Sequence, residues 1–112
     1  MPNLPCYTSQ CFEVYFWVKN IKIALIANPP ECPSPDLNKV TANIRKELEN
    51  KYPRYVPPHC PHGDCHCVPI GPAQTGTSSQ QYYYKYQASP ECEYGIIANF
   101  DLEITVQFGL CV

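Results

Sequence analysis

Long apolar runs, blocks of like charge and short catalytic signatures are all missing from this sequence, and each absence removes a class of protein. A membrane-spanning helix needs roughly 20 consecutive apolar residues. The nearest approach, residues 12–27, is broken by Glu13, Lys19, Asn20 and Lys22, so no membrane span is expected. The opening Met1-Pro2-Asn3-Leu4-Pro5-Cys6 has no basic region, and no small-residue cleavage site follows an apolar stretch, so it does not read as a secretory leader. Two settings remain: an intracellular protein with Met1 as its native start, or a mature secreted chain to which Met1 was added. The eight basic residues are scattered and the net charge is −2. Nothing here forms the basic stripe that neutralises phosphates, so nucleic acid is not an expected partner. No Gly-x-Ser-x-Gly, His-Glu-x-x-His, phosphate loop or dinucleotide fingerprint occurs, and no enzymatic activity is expected.

Cysteine is what the chain does have. Cys6, Cys11, Cys32, Cys60, Cys65, Cys67, Cys92 and Cys111 run from end to end of 112 residues. That length suits one domain, taken as residues 1–112. A chain of this size buries roughly two-thirds of its unfolded surface without cross-links, so the cysteines need a reason of their own. An even, dispersed set reads as a disulfide framework, which places the protein in a secreted or periplasmic setting, with cytoplasmic as the alternative if Met1 is native. Eight cysteines allow 105 pairings, and spacing alone does not choose among them.

The periodicity gives an α+β domain. Residues 11–18 alternate, with Phe12, Val14, Phe16 and Val18 on one face and Glu13, Tyr15 and Trp17 on the other, as a strand does. Lys19-Asn20 offers a turn, since Asn tolerates positive φ; residues 21–27 are then a second strand of a hairpin, or the continuation of one long bulged strand. Residues 28–35 are a proline-rich stop. Ser34-Pro35-Asp36 is a helix start, and Leu37, Val40, Ile44 and Leu48 recur at helical spacing, so residues 35–51 form an amphipathic helix that Pro53 ends. Residues 53–79 lack periodicity and hold six prolines, which reads as a long loop held by cross-links. Residues 80–87 are a tyrosine-rich strand. After Pro90 comes the cleanest strand, with Phe100, Leu102, Ile104, Val106, Phe108 and Leu110 assigned to the core and the intervening residues, Gly109 and Cys111 among them, to solvent. The expectation is a small antiparallel sheet of about four strands in ββαββ order, with one amphipathic helix and a long disulfide-rich loop.

Two features carry chemistry. All three histidines sit in His59-Cys60-Pro61-His62-Gly63-Asp64-Cys65-His66-Cys67. Read plainly, this is a disulfide-rich loop with exposed histidines, in which a Gly63-Asp64 turn brings Cys60 and Cys65 together. The alternative is a metal site using His59, Cys60, His62, Cys65, His66 and Cys67, with zinc first because it accepts thiolate and imidazole; the spacing matches no usual zinc module. Cys60 to His66 also looks like a stretched c-type haem attachment motif, with four residues between the cysteines where the motif has two. A redox role for one cysteine is the remaining option.

The second feature is aromatic. Tyr82, Tyr84 and Tyr86 share one strand face, and Trp17 lies with Tyr15 opposite Phe12 and Phe16. Tyrosine joins apolar area to a hydrogen-bonding tip, so such faces dock proteins, although half of any amphipathic strand is simply core. The function this implies is a disulfide-stabilised binding or assembly protein, meeting a protein partner or itself through Tyr82, Tyr84, Tyr86 and Trp17; the alternative is a metal-binding or redox protein centred on residues 59–67.

Overall fold

A computed structural model describes residues 9–61 and 63–112. Among these the chain forms five strands and one helix: β1 (Gln10–Ala27), α1 (Leu37–Lys51), β2 (Tyr55–Val56), β3 (Cys67–Pro69), β4 (Gln74–Ser89) and β5 (Cys92–Cys111). The strands run β2-β1-β5-β3 across one sheet, with β4 also paired to β5. The class is therefore α+β, with a largely antiparallel sheet, one helix and disulfides. The strand count and order differ from the sequence reading, and each difference has a local cause. Asn20 does take a left-handed φ of 55°, but the chain runs on through it as one 18-residue strand instead of reversing. β2 and β3 are two and three residues long, too short for any period to register. β4 starts at Gln74, six residues before the tyrosine-rich stretch expected at residues 80–87, because its first half is polar on both faces and shows no alternation of hydrophobicity.

The chain divides into two compact units, and β1, β4 and β5 each contribute to both. The first comprises residues 9–17 with Pro53–Thr77 and Glu103–Val112; the second comprises Val18–Tyr52 and Ser78–Leu102.

The second unit has a conventional apolar core. Val40, Ile44 and Leu48 are one stripe of α1, and all three are buried. They pack with the even-numbered face of β5, where Tyr94, Ile96, Ala98, Phe100 and Leu102 are buried in unbroken alternation. The helix begins later than expected. Asp36 is the N-cap in place of Ser34, its Oδ1 accepting from the backbone N–H groups of Asn38 and Lys39 at 3.0 and 3.3 Å, which satisfies donors that a helix start leaves without partners. At the other end the N–H of Tyr52 donates to the Leu48 carbonyl, and the Tyr52 ring meets Phe100. The Tyr94 hydroxyl donates to the Pro33 carbonyl, and the Cys32–Cys92 disulfide fastens the same loop.

The first unit is built differently. Its only buried apolar side chains among the described residues are Cys11 and Cys111. Cys11 is bonded to Cys67 and Cys60 to Cys111, and Cys65 is disulfide-bonded as well. Cys60 is not bonded to its near neighbour Cys65; it reaches across 51 residues to the end of β5. β5 meets β3 here in the register Cys67↔Cys111, Val68↔Leu110 and Pro69↔Gly109. Gly109 is required at that crossing, because a Cβ would strike the Val68 carbonyl and lie 2.9 Å from the Cys67 Sγ. The face assigned to the core along this half of β5 needs correction. Gly109 and Cys111 are buried, Ile104, Val106 and Leu110 are half-buried, and Phe108 is exposed. Among the described residues of this unit no helix covers the Ile104–Val106–Phe108 side, while the disulfides close over the other side. Phe12 is likewise exposed and meets Phe108, with ring centroids 6.2 Å apart.

Candidate functional site

The first unit carries most of the large apolar side chains that the structure leaves exposed, among them Phe12, Tyr15, Trp17, Tyr55, Ile70 and Phe108. Four residues on it form a continuous aromatic and cationic patch. β1 presents Tyr15 and Trp17 on one face because successive strand side chains alternate. β2 pairs beside it with Tyr15 opposite Tyr55 and Val14 opposite Val56, and the Phe16 N–H donates to the Arg54 carbonyl at 3.2 Å. That ladder sets the side chains in place. The Tyr15 and Tyr55 rings lie 5.0 Å apart and tilted. The Arg54 guanidinium sits 5.1 Å from the Trp17 ring centre, a cation–π distance. The Tyr55 hydroxyl donates to Glu13 at 2.8 Å, and this bond to a carboxylate raises the Tyr55 pKa above its ordinary value, with lesser help from burial and charge. Trp17 stays 47% exposed.

The structure divides the aromatic residues expected from the sequence. Trp17 belongs to the first unit; Tyr82, Tyr84 and Tyr86 belong to the second. The three tyrosines do share a face of β4 and are half-buried there. Tyr82 and Tyr84 stack at 6.5 Å, and Tyr86 stacks on Tyr94 of β5 at 6.0 Å. The Tyr82 hydroxyl donates to Glu47 of α1, and this bond, followed by partial burial, pushes its pKa up to about 12. Much of this tyrosine face is thus engaged within the second unit, beside the helix. Sequence reasoning missed Arg54 and Tyr55, which lie in a stretch read as loop; a two-residue strand between prolines leaves no periodic signal.

The cysteine and histidine cluster is also placed. His59 and His66 are exposed, and His62 lies outside the described residues. The His66 backbone N–H and carbonyl both bond to Val112. Cys60, Cys65 and Cys67 are all disulfide-bonded. The two disulfides Cys11–Cys67 and Cys60–Cys111 run side by side, so that the sulfurs of Cys11, Cys60 and Cys111 lie within 4.8 Å of one another. A disulfide sulfur carries no thiolate charge, and it is the thiolate that ligates zinc; this sulfur cluster would become a donor set only after reduction. Cys60 and Cys65, the two thiols a c-type haem would take up, are oxidised in the same way.

A polar concavity of about 670 Å³ lies on the second unit, lined in part by Asn20, Lys22, Ser79 and Asp101. Its carboxylate is already engaged: Asp101 accepts from Asn20 at 3.0 Å and from Ser79 at 3.3 Å. Among the described residues no helix is long and apolar enough to cross a membrane.

Compared with known proteins, the chain matches no protein-family model, no curated protein and no solved structure.

Proposed function

We propose that the chain is a secreted or periplasmic binding protein, held in shape by disulfides, that docks a protein partner on the patch of Tyr15, Trp17, Arg54 and Tyr55. The observation that carries this reading is the inversion in the first unit: covalent bonds fill its interior while its aromatic side chains face outward. A fold gains little from leaving Trp17 and Tyr15 in water, since burying such a ring contributes about 1.5–3 kcal/mol. A partner that covers them collects that energy. Tryptophan, tyrosine and arginine are the residues that dominate protein interfaces, and tyrosine and tryptophan have few rotamers to lose. The disulfides support an oxidising compartment, because reducing cytosol does not sustain them.

Trp17 is the only tryptophan, so its fluorescence reports directly on this patch. The test compares the wild type with the Tyr15→Ser/Trp17→Ser variant as baits for extracellular proteins, under conditions in which both melt alike. A partner retained by the wild type and lost by the variant, and which shifts wild-type Trp17 emission to the blue when added pure, supports the reading. Equal retention by both forms, or no change in Trp17 emission on mixing, would overturn it.

A further inference from the structure

We infer that the outer edge of β4, over residues 78–89 in the second unit, pairs antiparallel with the same edge of a second copy of the chain. This surface is separate from the aromatic patch of the first unit. β4 is bonded on one side to β5, and no described strand lies on its other side. Successive amides of an edge strand point alternately toward its neighbour and away from it, so half the N–H and C=O groups of these twelve residues are directed outward. Protein chains usually blunt such an edge with proline, a bulge, a left-handed residue or outward charges. The other edge of this unit, on β1, has such devices: Lys19, Lys22 and Asn20 at φ 55°. Residues 78–89 have no left-handed residue, and proline appears only at Pro90. Their single charge, Lys85, lies 4.0 Å from Glu93 on β5 and stays largely exposed.

The composition also selects the occupant. The edge is long and carries one charge, and a two-fold axis closes it on itself. Antiparallel pairing centred on Tyr84 sets Lys85 of each copy against Tyr83 of the other, both on the exposed face of β4, where ammonium and ring attract. Parallel pairing in register would set Lys85 against Lys85. Twelve residues extend for about 40 Å. With the flanking tyrosine rings the seam covers on the order of 1,000 Å² in total, the low end for a specific interface, so the dimer is reversible and concentration-dependent.

The test is sedimentation velocity over a wide concentration range, with amide exchange followed residue by residue. The expected result is a monomer–dimer equilibrium in which alternate amides of residues 78–89 become protected as concentration rises. Tyr83, 67% exposed, is the residue to change: Tyr83→Lys should weaken the dimer at least about tenfold, through two added charges at the seam, and leave the melting temperature in place. A wild type that stays monomeric throughout overturns the inference. So does a dimer that survives Tyr83→Lys, or one that Tyr15→Ser/Trp17→Ser abolishes, since that dimer would form through the first unit. Because the aromatic patch is tested by partner capture and Trp17 emission, failure of either proposal leaves the other standing.

Discussion

Single residues decide how this chain divides its surface between fold and solvent. Tyr82 shows the principle. Its hydroxyl donates to Glu47 and its pKa rises from 10.0 to about 12. The raised value favours the protonated form in the folded state. The bond therefore supports the fold fully below pH 10, and its contribution fades as pH climbs from 10 to about 12, where the unfolded chain has already shed the proton. Alkaline titration of tyrosinate absorbance, wild type minus Tyr82→Phe, should show the difference at the top of the curve. A difference centred in the ordinary tyrosine range would mean that the Glu47 bond does not persist in solution. At the same scale, some residues could be read from the sequence for chemistry but not for position. Asn20 was legible as a site of positive φ, yet whether the chain turns there depends on what pairs with the residues after it. Gly109 gave no signal, because the reason for a glycine lies in the Val68 carbonyl that crosses over it.

Elements were legible where a period had room to repeat against a single partner. The helix stripe Val40, Ile44 and Leu48 was readable because α1 spans 15 residues with one face covered. Ile44 is fully buried, so Ile44→Ala should cost about 2–5 kcal/mol. Leu37, at the exposed start of the same stripe, should tolerate alanine within about 0.5 kcal/mol. Equal losses in thermal or denaturant melts would show that the helix does not sit on β5 as described. Alternation along β5 was legible as strand but not as a burial map. Its first half alternates under a helix, whereas in its second half the disulfides bury Gly109 and Cys111. A sequence pattern records which residues are apolar, and it cannot record that a covalent bridge will do the work of a core. The candidate site was half legible for the same reason: Tyr15 and Trp17 stand on a periodic strand, while Arg54 and Tyr55 stand on or beside one too short to have a period.

At the scale of the whole molecule, one chain uses two ways of holding itself together. The second unit buries aliphatic and aromatic side chains; the first relies on cross-links, of which Cys11–Cys67 and Cys60–Cys111 each close a loop of more than 50 residues and contribute about 4 kcal/mol by restricting the unfolded chain. Replacing Cys11 and Cys67 together by serine should therefore loosen the first unit selectively. Amide exchange is expected to speed up at β3 and β2 while the amides around Val40, Ile44 and Leu48 keep their protection. If the helix opens together with β3, the two units share a single cooperative transition.

The long reach of those bonds also governs how the protein is made. The bonds Cys11–Cys67, Cys32–Cys92 and Cys60–Cys111 join residues 51 to 60 apart, whereas Cys60, Cys65 and Cys67 are near neighbours. Contact probability in an unfolded chain falls as roughly the three-halves power of separation, so a link across about five residues forms about thirtyfold more often than one across about fifty. The first bonds to appear on a newly made chain are consequently local and wrong, and they must be reopened by thiolate attack before the strands can be clamped. A compartment that offered an oxidant but no thiol catalyst would accumulate this chain as mispaired isomers.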